Sequence, residues 1–186
     1  MQLAKLDELQ VLSERLYVET ASLPKEQRTR RICDELLELL ILAYVYGANR
    51  VDDELMPDVE TMLQAIYKPI AGETFEQRVA KRIEEDSLSA ENLRRIIETD
   101  WHRVEETGAY DTALLKADKT GKTAYKAWET MMDDRVRDTH WYIQSVVVPM
   151  GERFYTFDGD SARFPGDFEK PENNIRCRCE LKYIFR

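Results

Sequence analysis

A chain of 186 residues with 43% hydrophobic content is long and apolar enough to bury a core, which excludes a disordered chain. Its 27 basic and 36 acidic residues are unevenly spread: residues 121–186 hold 11 of each, so the net charge of −9 sits entirely in residues 1–120. That acidity excludes wrapping of nucleic acid by the first part through plain charge neutralisation. The three cysteines, Cys33, Cys177 and Cys179, do not make a disulfide framework, and the last two are too close for an easy bridge. A reducing cytoplasm is the expected home. The N-terminus has no basic segment leading into an apolar run, so no signal peptide is expected.

In chain order, Leu3, Leu6, Leu9, Leu12 and Leu16 recur at three and four and predict an amphipathic helix over 3–19. Pro24 opens a second helix that runs to about Ala48, where Gly47 and Asn49 supply stop chemistry. Its stretch from Leu36 to Tyr46 is the longest apolar run, with Glu38 inside it. That predicts a helix central to a bundle rather than a membrane span, and a candidate oligomer or partner contact. Pro57 and Pro69 bracket a third helix. Thr74-Phe-Glu-Gln77 has capping-box form and opens a fourth over about 75–86, and Ser89 caps a fifth carrying Leu93, Ile96, Ile97, Trp101 and Val104. On that helix His102 reads as an exposed residue, and Trp101, like Trp128 further on, as a core anchor.

The character of the chain changes after Gly108. Alternating Thr, Tyr and Trp over 123–130 predict a half-buried strand, Asp134–Ile143 fits a short helix, and Val146-Val-Val148 is apolar and β-branched. The Gly-, Pro- and aromatic-rich segment 151–171 predicts loops, and residues 177–185 alternate as a final strand. The fold class expected is α+β: a helical N-terminal region over 1–87, then a small α+β domain over 88–186 with a short, mostly antiparallel sheet.

The most informative residues lie in Trp128-Glu-Thr130-Met-Met-Asp133-Asp-Arg135-Val-Arg137-Asp-Thr-His140. This run resembles the Mu F-like domain of the phage head morphogenesis family, with its Trp, Thr, Asp, Arg, Arg and His at this spacing. Further matches follow in order: Phe154 and Phe157, Gly159, Pro165-Gly-Asp167, and the closing Asn174-Ile-Arg176-Cys177-Arg178-Cys179. Upstream, Ile97-Glu98-Thr99 through Val104 is similar to the helix that opens the domain. Two positions depart from the pattern. Gln144-Ser145 stands where the family usually has Asp-Gly, and Arg176 where it commonly has Asn.

The resemblance implies a minor head protein that acts in head morphogenesis, associates with the portal and other virion proteins, and touches packaged DNA. Its place would be the virion or procapsid, with the host cytoplasm as the site of assembly. No membrane partner and no cofactor are expected on that reading.

The residues themselves leave chemistry to weigh. Cys177 and Cys179 lie two apart on the expected strand, with Arg176 and Arg178 on the other face. With His140 and Asp133 they make a zinc-type ligand set; without metal they are small core residues. Asp133, Arg135, Arg137 and His140 read as a structural polar cluster, or, in an enzyme, as a site with His140 and Asp133 at its centre. The alternative function is therefore a metal-dependent hydrolase or nuclease, or an injected effector, using His140, Asp133 and Cys177/Cys179. Seven residues follow Cys179 in the sequence, so no attached effector domain is expected. A nucleic-acid module would use Arg135, Arg137, Arg153, Arg163, Arg176 and Arg178. The structural and assembly reading is the one carried forward.

Overall fold

A computed structural model describes residues 3–186, with side chains from Asp7 onward. Leu3 and Leu6, part of the first predicted apolar stripe, fall outside the described side chains. The helices are α1 (Leu3–Thr20), α2 (Lys25–Val51), α3 (Val59–Ile66), α4 (Phe75–Glu84), α5 (Ala90–Thr120), α6 (Asp138–Tyr142) and α7 (Pro171–Asn174). The strands are β1 (Ala124–Glu129), β2 (Val147–Pro149), β3 (Phe154–Tyr155), β4 (Ser161–Ala162) and β5 (Glu180–Phe185). The chain is α+β, with a helical N-terminal region followed by short antiparallel strands. No helix among the described residues is long and apolar enough to cross a membrane.

The local signals act where they stand. The Thr74 hydroxyl accepts from the Gln77 amide while the Gln77 side chain accepts from the Thr74 amide, so both halves of the capping box form. The Ser89 hydroxyl accepts from the Asn92 amide and starts α5. Gly121, in the left-handed region at φ 64°, ends it.

Helix α5 is the axis of the molecule, and this corrects the expectation for α2. Residues 96–110 of α5 are buried without interruption, polar residues included. Helix α2 instead buries one face, with Leu36, Leu40, Ala43 and Tyr44, and leaves Leu42 exposed. Two glycines decide how closely these helices cross. A Cβ on Gly47 would stand 1.8 Å from the Glu105 carbonyl oxygen, and one on Gly108 would stand 2.3 Å from that of Tyr44. Gly47 is therefore a packing residue and no stop signal, and Gly108 is no boundary, because α5 runs twelve residues past it.

Two apolar clusters use this one helix. The first joins Leu9, Leu16 and the buried face of α2 to Phe75, Val79 and Ile83 of α4 and to Leu93, Ile97, Trp101 and Val104 of α5. The second joins Tyr110 and Ala113 of α5 to Trp128, Phe154, Phe164, Phe168, Cys177 and Leu181. Over it lies a three-stranded sheet of order β2-β1-β5, antiparallel throughout, with Tyr125 opposite Pro149 and Ile184. Strands β3 and β4 form a separate hairpin.

Candidate functional site

The predicted site residues converge around His140, with differences in who meets whom. Helix α6 is shorter than expected. It begins at Asp138 because Asp133 to Arg137 form a turn in which the Asp133 carboxylate accepts the Arg135 amide at 3.2 Å. This leaves His140 on the buried side of a five-residue helix, 1% exposed. Phe168 stacks on its ring at 5.1 Å and 17°, and Trp128 meets the ring edge-on at 5.6 Å. The imidazole plane is thus held from two sides.

Cys177 and Cys179 approach that ring. The His140 Nδ1 lies 3.6 Å from the Cys177 Sγ and 3.3 Å from the Cys179 Sγ, and the donor atoms of all three residues lie within 4.8 Å of one another. The cysteines precede β5 rather than opening it, since the strand starts at Glu180. Their side chains nevertheless share the buried face, at 1% and 3% exposure, while Arg176 and Arg178 turn away to carboxylates.

His102, expected to be exposed, is buried. It is 2% exposed, with both ring nitrogens buried and without a hydrogen-bond partner. Burial alone would lower its pKa; Cys177, Glu106 and Glu105 outweigh burial and raise it. Burial likewise opposes ionisation of Cys177, but Cys179, His102 and His140 prevail and hold that thiol well below its ordinary range. The charge gathered there, together with burial, pushes Cys179 up. The signal for His102 was available in hindsight. From Glu98 to Glu106 polar residues fall at every helical phase, which a helix with one wet face would not produce.

Asp133 stands outside the trio. Its two oxygens accept from the two terminal nitrogens of Arg178 at 2.6 and 2.8 Å, a bidentate pair that holds the carboxyl down to about 2. Arg137 does not reach Asp133; it donates to the Ile175 carbonyl. The expected cluster of Asp133, Arg135, Arg137 and His140 is thus two units: an Asp133–Arg178–Arg135 surface pair system and a buried His140–cysteine trio. The void beside His140 and Cys179 is about 10 Å³, room for no more than a single water. A hydrolase built on His140 and Asp133 would need both groups facing a substrate, and this arrangement does not favour that alternative.

Of the remaining motif residues Phe157 is exposed, whereas others hold the loops together. Gly166, at φ 91°, lies so close to α5 that a Cβ would stand 2.9 Å from the Arg103 Cα. Its neighbour Asp167 accepts from the Arg163 amide and guanidinium and pairs with Lys68 and Arg153. Asn174 clasps Phe168 through both amide groups, donating to its carbonyl at 2.6 Å and accepting from its amide at 3.0 Å. Asp160 accepts from the backbone amides of Ser161, Glu169 and Lys170 and from the Asn173 side chain. Buried Asp100 pairs with Arg78 and Arg103, and Arg103 donates to the Ala65 and Ile66 carbonyls at the end of α3. Asp160 lies in none of the matched motifs, and Asp100 and Arg103 lie inside the Ile97–Val104 match, whose spacing alone does not show their pairing.

Both departures from the family pattern fall on left-handed backbone. Ser145 has φ 62° and Arg176 φ 53°. Glycine and asparagine are the residues that adopt this region at least cost, so the chain keeps the conformation after losing the residue types that favour it. At Arg176 the guanidinium offsets the cost through pairs with Glu91 and Glu98.

A family profile described as Phage Mu protein F like protein matches residues 60–182. Minor head protein GP7 of Bacillus phage SPP1 is 29% identical over 167 residues, which cover 88% of this chain and 51% of that protein. The chain therefore spans about half the length of the curated relative it matches. No solved structure matches it.

Proposed function

The chain belongs to the phage Mu protein F like family, and from that premise we propose that it is a minor head protein, a structural component of head assembly in the procapsid and virion. The observation that carries this reading is the fate of the motif residues. Asp133, Arg137, Asp167, Asn174 and Arg178 are all engaged in pairings that hold loops together, which is what a stable body needs and what a substrate site lacks. The relative's own name, minor head protein, points the same way.

On this reading the body formed around α5 and the sheet docks on other virion proteins, the portal first among them, with the acidic helical region over 1–87 as the arm that makes the approach. Protein is favoured over DNA as the partner. The six arginines considered for nucleic acid are tied to carboxylates, a hydroxyl or carbonyl oxygens. Co-expression with the portal protein of the same phage tests the proposal. The two chains should co-elute at fixed stoichiometry, and a phage lacking this gene should yield fewer infectious heads. A chain that never co-elutes with portal, together with an unchanged titre in the deletion, would overturn it.

A further inference from the structure

We infer that His102, His140, Cys177 and Cys179 form a closed four-donor site for a structural zinc ion, joining α5, α6 and the segment that leads into β5. The inference does not depend on the portal reading. In a tetrahedral zinc site with bonds of about 2.3 Å to sulfur and 2.0–2.1 Å to nitrogen, the N···S separation is about 3.5 Å. The distances from His140 Nδ1 to the two sulfurs, 3.3 and 3.6 Å, bracket that value.

The direct contacts leave much unexplained. A thiol is a weak donor and a weak acceptor, yet two of them are packed on one imidazole nitrogen in a dry interior. The other nitrogen of His140 and both nitrogens of His102 are buried without hydrogen-bond partners. A buried ring nitrogen without a partner is costly, and His102 carries two of them. A cation bound by the two sulfurs, His140 Nδ1 and one nitrogen of His102 removes that cost for the His102 nitrogen that ligates it. His102 stands outside the trio, buried with both ring nitrogens unpartnered, and is the fourth ligand of the proposed site; its ring must shift toward the sulfurs to complete it.

The donor types select the metal. Two sulfurs and two imidazoles suit zinc, whereas magnesium and calcium require oxygen donors. The small void beside the trio leaves no open coordination position for a substrate, which makes the site structural rather than catalytic. Asp133, the fourth ligand that spacing alone suggested, is engaged by Arg178 instead.

The test uses the full chain, purified without chelator and without nickel or cobalt resin. Elemental analysis should find about one equivalent of zinc per chain. X-ray absorption at the zinc edge should return two sulfur and two nitrogen neighbours. Chelation should lower the melting temperature by about 10 °C or more. Less than a tenth of an equivalent, with no rise in melting temperature when zinc is added back, overturns the site. Zinc bound by two sulfurs with one nitrogen and an oxygen overturns the assignment of His102. In cobalt-substituted protein, His102→Asn should change the visible spectrum and Asp133→Asn should not; the reverse result also overturns the ligand set. Should His102→Asn fail to fold, the absorption measurement on the unaltered chain still decides.

Discussion

Around the crossing of α2 and α5 the chain is held mainly by apolar contact between helices, whereas beyond residue 121 an aromatic cluster is enclosed by loops held by carboxylates and amides that each collect several partners. In the first region Leu36, Leu40 and Ala43 meet Leu93, Ile97 and Val104 in one continuous cluster. In the second, Asp160 alone organises three backbone amides and one side-chain amide, and Asp167 gathers Arg163, Lys68 and Arg153. The difference concerns tolerance. An apolar helix interface accepts exchange so long as volume and period are kept. A loop-rich body joined by satisfied polar groups has one arrangement, and removing a member strands the others.

The largest effect is expected where the two regions meet. Asp100→Ala leaves Arg103, 1% exposed, without its carboxylate partner and should cost about 3–5 kcal/mol in denaturant unfolding. A loss below about 1 kcal/mol would mean that Arg103 is held by the α3 carbonyls alone. Gly47→Ala comes next, at about 2–4 kcal/mol, because the new methyl meets backbone rather than a movable side chain. The sign is itself informative. In an isolated helix alanine is better than glycine by about 1 kcal/mol, so any stabilisation on thermal unfolding would refute the close crossing.

A pH series sharpens the contrast between apolar and polar burial. Asp111, which accepts from the Tyr44 hydroxyl at 2.9 Å, has its carboxyl pushed up to about 6 by burial. Above that pH the folded chain carries a poorly solvated carboxylate. As pH falls from about 6 toward 4 the folded state takes up a proton before the unfolded state does, and the cost is lifted. Asp111→Asn should therefore stabilise by about 1–2 kcal/mol at pH 7.5 and by nothing near pH 4. A difference independent of pH would contradict this. The smallest effect is expected at Ser145, where glycine restores the residue type that the left-handed backbone favours. Ser145→Gly should raise stability by about 1 kcal/mol or less, read as a small rise in melting temperature. A fall would show that the serine hydroxyl's bond from Gln144 outweighs the backbone term.

Much of the fold was legible before any coordinates. Thr74 with Gln77, Ser89 and Pro24 marked helix starts correctly because caps act within one turn. The strands near Tyr125 and Val147 followed from alternation and β-branching. The site was legible in composition but not in partnership. His140, Cys177 and Cys179 were grouped from a motif, and they do converge. Asp133, grouped with them by spacing, belongs to Arg178, while His102, some forty residues upstream of His140, reads as exposed in the sequence and is buried.

The sequence by itself determined the helical first part, the α+β second part, the family likeness and the types of donor available near the chain end. Those are properties of short windows, set by periodicity, caps and residue chemistry. The tertiary structure decided which helix is central, why Gly47 and Gly108 are glycines, and which carboxylate takes which arginine. It also decided that His102 is buried. The physical reason is common to all of these: each depends on a contact between residues far apart in the chain, whose separation is set by packing and has no trace in local spacing.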